Sequence, residues 1–316
     1  MASLANSLPK IKIFVVAIIL AIALIALLIP GSVFPASRRS LFYLWESGHL
    51  FLFFLGCYLF YICFPRIQTY SFARQSVILL SATLCFVVMI EGLQNYIADK
   101  PPAFTDIIGD FAGSLLFLAT HSRLSGKRNQ LLYITAFLLT AFVLWLVFRA
   151  LTDELLVKYQ FPCLADFETP FEHSRFEGKT GQGRQNSEQA FNGRHSLRLS
   201  LLPGSWSGMT LKYFPADWRD YNQLHFAVYN PEQQPVSLHF SIHDKWHEQG
   251  GKPYSDRYSR DFLLPAGWTR IQIPLIEVLA GPQTRQMDLS QISGLGFFVV
   301  RETRSLTLYL DAIWLE

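Results

Sequence analysis

One long, mostly apolar stretch, Val88–Phe117, carries Glu91, Gln94, Asp106 and Asp110, whose types suit acid–base chemistry. On the insertion scale an acid near the middle of a membrane span costs roughly 2.5–3.5 kcal/mol. Groups that expensive usually face a protein interior or a wet cavity, and often work there. Glu91 and Gln94 are three residues apart and share a helix face, as do Asp106, Asp110 and Gly113 at i, i+4 and i+7. Lys100-Pro101-Pro102 breaks the chain between them, so the two faces can meet. At 1.5 Å per residue Glu91 lies roughly 9 Å and Asp110 about 7 Å deep from the outer face, one before and one after the turn. Two carboxylates at matched depth and poorly solvated do not both ionise, which leaves one as a proton donor. His49, near the start of another apolar run, is expected in the same pocket, and Lys100 at its mouth offers a point charge to an anionic headgroup or phosphate.

Each of these residues also has a plainer reading. Asp106 suits the first turn of a helix, where the dipole favours an acid. Lys100 can snorkel to an interface. His49 can be a packed interfacial histidine. Gly109-Asp110-Phe111-Ala112-Gly113 has the small-xxx-small spacing that lets membrane helices approach closely. Glu91, well inside an apolar helix, is the hardest to explain as packing.

The elements that would position these groups are apolar runs. Ile11–Ile29, Gly48–Phe64, Ser76–Ile97, Thr105–Thr120 and Leu131–Phe148 read as five spans, the first near the ~20 residues a bilayer needs and the fourth short and Gly-rich. Lys10, Lys12, Arg66, Arg74, Arg123, Lys127 and Arg128 fall in loops on one side, and Arg38, Arg39 and Lys100 on the other. The positive-inside bias therefore puts the N-terminus in the cytoplasm and everything after the fifth span outside. No signal-peptide cleavage site follows the first run, which reads as a retained helix. The net charge of +3 over 316 residues is too small to argue for nucleic acid, and none is expected as a partner. The four cysteines, Cys57, Cys63, Cys85 and Cys163, make neither a disulfide framework nor a CxxC metal pair.

After a linker at 151–162 the period changes. Val236, Leu238, Phe240 and Ile242 alternate with polar residues, as in a half-buried strand. Further strands are expected at Leu224–Val228, Leu197–Leu202, Gly208–Tyr213, Trp268–Pro274, Leu295–Arg301 and Leu306–Leu315, with turn signals such as Asn192-Gly193 and Ala266-Gly267 between them. Short strands so spaced predict an antiparallel sandwich over 163–316. A sugar site would need aromatic faces with a few polar groups. Trp206, Trp246, Tyr254 and Tyr258 are candidates, with Asp244 and Arg257 as polar partners; the loop Asp244–Tyr258 is equally readable as ordinary surface. His243-x-x-x-His247 leaves a strand, so its spacing does not make a zinc pair.

Two resemblances add to this reading. Glu46 and His49, then Glu91-x-x-Gln94, Lys100, Asp106-x-x-x-Asp110 and Gly113 resemble the VanZ-like membrane family over roughly residues 40–120. Lys100 stands where that family commonly has Arg, and Asp110 where it has Asn. A lysine cannot grip an anion as a bidentate fork. The resemblance implies a role at the cell envelope, the namesake being tied to glycopeptide resistance. The second half resembles the galactose-binding-like jelly rolls of carbohydrate-binding modules at Asp166-Phe167-Glu168, Asn192-Gly193-x-x-Ser196-Leu197, Trp218-x-x-Tyr221-x-x-Leu224, Gly267-Trp268 and Leu310-Asp311. It implies a structural calcium held by Glu168, Asp311 and carbonyls near Gly193.

The expected architecture is thus multi-domain: an all-α polytopic membrane bundle over 1–150, then an all-β jelly-roll sandwich. The expected role is an inner-membrane protein that binds or acts on an envelope glycan or lipid-linked sugar. The alternatives are a non-catalytic anchor presenting a glycan-binding module, and a transporter or flippase subunit. The lack of inverted repeats speaks against the last. No nucleophile elbow, phosphate-binding glycine loop or zinc motif is visible, so whether the chain is an enzyme stays open.

Overall fold

The computed structural model describes residues 13–22, 39–98, 104–121, 127–178 and 180–316. It divides into two units, Met1–Leu151 and Thr152–Glu316.

In the first unit, helix α1 covers Ile13–Ile22. Next come α2 (Arg39–Glu46), α3 (Gly48–Cys63), α4 (Phe72–Ala98), α5 (Phe104–His121) and α6 (Lys127–Gln160), the last continuing past the unit boundary. Pro65 ends α3: it cannot continue the ladder, but it suits the first turn of the short 3-10 segment Pro65–Thr69. Helices α3 and α5 touch backbone to backbone at Gly113. A Cβ there would strike the Leu50 carbonyl oxygen and lie 2.9 Å from the Phe54 nitrogen. The small-xxx-small pattern is therefore a contact surface, with Gly113 as its tight point.

Leu50, Ala112 and Val143 pack between α3, α5 and α6. Leu52 and Phe53 meet Val87 and Ile90 between α3 and α4. The outward faces are also apolar: Phe51, Val88 and Phe137 are all exposed. Arg39–Cys63, Phe72–Leu93 and Gln130–Gln160 are long and apolar enough to cross a membrane. That is three among the described residues, against five expected. The expected first span lies partly outside the described residues. The fourth coincides with α5, whose aspartates and terminal His121 dilute its apolar content.

The second unit begins within α6, so the expected linker at 151–162 is helix as far as Gln160. Fully buried Arg175 ties this segment down. Its Nε donates to Asp153 Oδ1 at 2.9 Å and its Nη1 to the Leu164 carbonyl at 2.8 Å. Among the described residues the strands that follow are β1 (Cys163–Ala165), β2 (Phe176–Glu177), β3 (Gly181–Asn186), β4 (Ser196–Leu201), β5 (Gly204–Leu211), β6 (Gln223–Asn230), β7 (Val236–Asp244), β8 (Tyr258–Leu264), β9 (Gly267–Pro274), β10 (Ile292–Glu302) and β11 (Leu306–Leu315). One sheet runs β3-β4-β11-β6-β9, with β1 also on β11; the other runs β2-β5-β10-β7-β8. Every pairing is antiparallel.

Alternating inward residues fill the space between the sheets. Phe226, Phe240 and Phe297 meet there, with ring centroids 4.8–5.3 Å apart. Two short helices, α7 (Lys245–Gln249) and α8 (Leu275–Leu279), interrupt the connections.

Candidate functional site

The chain carries two groups of polar side chains worth a chemical account, one in each unit.

In the helical unit, Ser47 separates α2 from α3, so Glu46 and His49 sit at adjoining helix ends. Asp106 lies in the first turn of α5, and Asp110 one turn on. His49 Nδ1 is 2.8 Å from Asp110 Oδ1, with both side chains buried. A carboxylate only accepts, so the histidine donates from Nδ1. His49 Nε2 faces Asp106 Oδ2 at 3.9 Å, too far for a hydrogen bond. Glu46, His49 and Asp106 each bring one donor atom within 4.8 Å of the others. Close contact of α3 with α5 at Gly109 and Gly113 is what brings the histidine to the aspartates; a Cβ on Gly109 would lie 3.4 Å from His49 Cβ. Glu91 is buried on α4 and is not part of that donor set. The side chain of Gln94 and all of Lys100 lie outside the described residues.

In the sandwich, a cleft of about 200 Å³ opens on the outer face of the sheet containing β5, β10, β7 and β8. Trp206, Ser237, His239, Tyr254, Asp261 and Val300 line it. Trp206 and Tyr254 stay 45% and 58% exposed. Both lie against the His239 ring: Trp206 edge-on at 5.3 Å, Tyr254 stacked at 5.9 Å. His239 Nδ1 is 2.6 Å from Asp261 Oδ1, and strand register explains why, since the two residues are direct partners across β7 and β8. His239 Nε2 is buried and has no hydrogen-bond partner among the described residues.

The expected sugar ligands divide. Tyr254 lines the cleft, and Arg257 lies over its ring at 4.5 Å. Trp246 is exposed on α7 but does not line the cleft. Tyr258 is buried core. Asp244 needs correction. It is 0% exposed, accepts from the His247 and Asp288 backbone N–H groups at 3.0 and 2.9 Å, and is gripped by Arg285. A carboxylate so engaged is a structural anchor. Sequence reading missed His239 and Asp261; a partially legible signal was His239 on the polar side of an alternating strand.

The expected calcium ligands also lie close to one another. Glu168 Oε1 accepts from the backbone N–H groups of Arg194 and His195 at 2.7 and 2.8 Å. Asp311 Oδ2 accepts from Phe191 and Asn192 at 2.7 and 3.0 Å, and its Oδ1 from Ala312 at 2.6 Å. Gly193, at φ +71°, permits the turn, and a Cβ there would collide with the Glu168 carboxylate. Through these bonds Glu168 and Asp311 pin the Asn192-Gly193 turn. The N–H donors leave lone pairs on both carboxylates, and among the described residues Glu168 Oε2 meets only His195 Nδ1 at 3.3 Å, so a calcium ion here would need further oxygens from carbonyls or water to reach the six to eight it takes. Burial pushes Asp311 up to about 6, against three N–H donors that favour its ionised form.

No protein-family model matches this chain. No curated protein matches it. Among solved structures it is similar to a family 11 carbohydrate-binding module from Clostridium thermocellum in complex with a beta-1,3-1,4-mixed-linked tetrasaccharide, at 15% identity over 48% of this chain and 93% of that one, TM-score 0.38. It is similar to an exo-beta-agarase at 18% identity over 49% of this chain and 24% of that one, TM-score 0.39. A family 30 carbohydrate-binding module of the Clostridium thermocellum cellulase Cel9D-Cel44B gives 19% identity, 45% and 86% coverage, and a TM-score of 0.35.

Proposed function

We propose that this chain is an integral membrane protein of the cell envelope whose β-sandwich binds a carbohydrate. The observation that carries the reading is the cleft of Trp206, His239, Tyr254 and Asp261. Sugar rings offer apolar C–H faces and a rim of hydroxyls. Aromatic rings with exposed faces meet the first, and a few fixed polar groups meet the second. Trp206 and Tyr254 supply the faces. Asp261, with its side chain 70% exposed, accepts from hydroxyls, Ser237 donates or accepts, and His239 orients Asp261 from beneath. Contact between rings fixes both walls in advance, which lowers the ordering cost of binding. The volume suits part of a glycan rather than a long chain at once.

On this reading the apolar helices of the first unit embed the chain in a bacterial-type cytoplasmic membrane. The basic loops favour a cytoplasmic N-terminus and an extracytoplasmic sandwich. The glycan would then be one of the envelope, including a lipid-linked sugar. The resemblance of Glu46, His49, Glu91 and Asp106 to the VanZ-like family accords with that setting.

The test is calorimetric titration of the full chain in nanodiscs with glucan oligosaccharides, peptidoglycan fragments and a soluble lipid-linked-sugar analogue. At least one should bind the wild type. Trp206→Ala and Tyr254→Ala should each weaken it by about 2 kcal/mol, roughly 30-fold, as for aromatic hot spots. Binding unchanged in both variants, or no binding by any saccharide, would sink the proposal.

A further inference from the structure

We propose that the helical unit binds a divalent transition-metal ion through Glu46, His49 and Asp106, with Asp110 orienting the histidine. This does not depend on the glycan reading, which concerns the other unit.

The argument starts from the histidine. His49 is 1% exposed. Asp110 accepts from its Nδ1–H at 2.8 Å, which fixes the tautomer with the lone pair on Nε2. That Nε2 is buried and has no hydrogen-bond partner among the described residues. A buried acceptor left unpaired is destabilising, and here it points among further metal-ligating side chains. An imidazolium held between Asp110 and Asp106 is the competing arrangement; its Nε2 stands 3.9 Å from Asp106 Oδ2, an ion-pair distance longer than a hydrogen bond, and the titration below separates the two.

The surroundings of Nε2 are those of a ligand set. Glu46, His49 and Asp106 present one donor atom each, all within 4.8 Å of one another. One imidazole and two carboxylates suit zinc or manganese better than magnesium or calcium, which prefer all-oxygen shells. Asp110 repeats the carboxylate–histidine pairing found behind metal-bound imidazoles, where the second hydrogen bond sets ring orientation and raises basicity. Metal bonds of 2.0–2.1 Å in a tetrahedral site hold donors about 3.3 Å apart. The His49–Asp106 pair therefore needs to close by about 0.6 Å, within reach of a side-chain adjustment. Three protein donors leave a position for water or a substrate oxygen. Half-buried Glu46 gives the ion a route in.

Full-length protein, purified in detergent and stripped with chelator, is titrated with Zn²⁺, Mn²⁺, Mg²⁺ and the spectroscopic probe Co²⁺. The wild type should retain about one Zn²⁺ per chain after gel filtration, with visible Co²⁺ bands and no response to Mg²⁺. His49→Ala should lose the ion. Glu46→Gln, at a half-buried position that leaves the core intact, should weaken it. Asp110→Asn should raise Kd roughly 10–100-fold while keeping the Co²⁺ bands. His243→Ala removes a histidine whose ring lies 5.2 Å from that of His247 in the sandwich, and should change nothing. No retained ion in the wild type, wild-type stoichiometry and affinity in both His49→Ala and Glu46→Gln, or loss of the ion in His243→Ala would overturn the proposal.

Discussion

Replacing Arg285 with Ala tests whether charge holds the segment between β7 and β8, and with it one wall of the cleft. Arg285 Nε and Nη2 donate to the Asp256 carboxylate at 2.6 and 2.9 Å, and Nη1 and Nη2 to that of Asp244 at 2.5 and 2.8 Å. Asp244 caps α7, and Asp256 closes the turn that contains Tyr254. One guanidinium thus fastens both ends of the segment that presents Tyr254 and Arg257. Removing one partner of a buried pair costs about 3–5 kcal/mol, mostly because the other charge is left behind. The Arg285 side chain is 26% exposed, which argues for the lower end, about 3 kcal/mol. In a domain of this size each kcal/mol moves the melting temperature by about 2–4 °C, so the expected loss is about 6–12 °C.

Calorimetry of the full chain at pH 7 would measure it, in low salt and in 0.5 M salt (about three times physiological strength). The loss should survive added salt, since buried pairs are poorly screened. Burial alone would raise the Asp244 pKa, but Arg285 and two backbone N–H groups hold it below the ordinary carboxylate range. A depressed carboxyl stabilises above its unfolded pKa of about 3.9 and loses that stabilisation as pH falls through the folded value. The gap between wild type and variant should therefore narrow below about pH 4. A drop of less than about 2 °C, or one erased by salt, would refute the clamp and make Arg285 an ordinary surface charge.

Two further outcomes follow from packing and burial. Gly113→Ala should force α3 from α5 and destabilise the helical unit by about 1–3 kcal/mol, whereas Gly56→Ala, with nothing within 4 Å of its added Cβ, should be tolerated; equal thermal stability of the two variants in detergent would contradict this. Asp311, raised to about 6 by burial, binds a proton more tightly folded than unfolded, so its contribution to stability falls as pH rises from about 4 to 6, by on the order of 3 kcal/mol. Asp311→Ala should flatten that part of the profile in thermal melts run in chelator, and an unchanged slope in the variant would refute this assignment.

Much of this molecule is written in local pattern. Alternation at Val236, Leu238, Phe240 and Ile242 identifies β7 because a period of two is a property of the strand itself. The apolar runs identify α3, α4 and α6 for a similar reason: length and composition suffice. Strand β8 escaped because Tyr258–Leu264 mixes Ser, Arg and Asp with its apolar residues at a sheet edge. Asp244 and Tyr258 looked like binding residues by type, and only burial among Arg285, backbone N–H groups and the core assigns them otherwise.

The groups with chemistry are the least local of all. His239 meets Asp261 through the β7–β8 register, and His49 meets Asp110 through the approach of α3 to α5 at Gly113. By itself the sequence determined which residues carry charge, which runs are apolar and where the period changes from helix to strand. Helix spacing already led the sequence reading to expect His49 near Asp106 and Asp110; the tertiary structure decided which atoms pair there and that His239 meets Asp261, because a contact between distant residues is set by register and packing, which no local period contains.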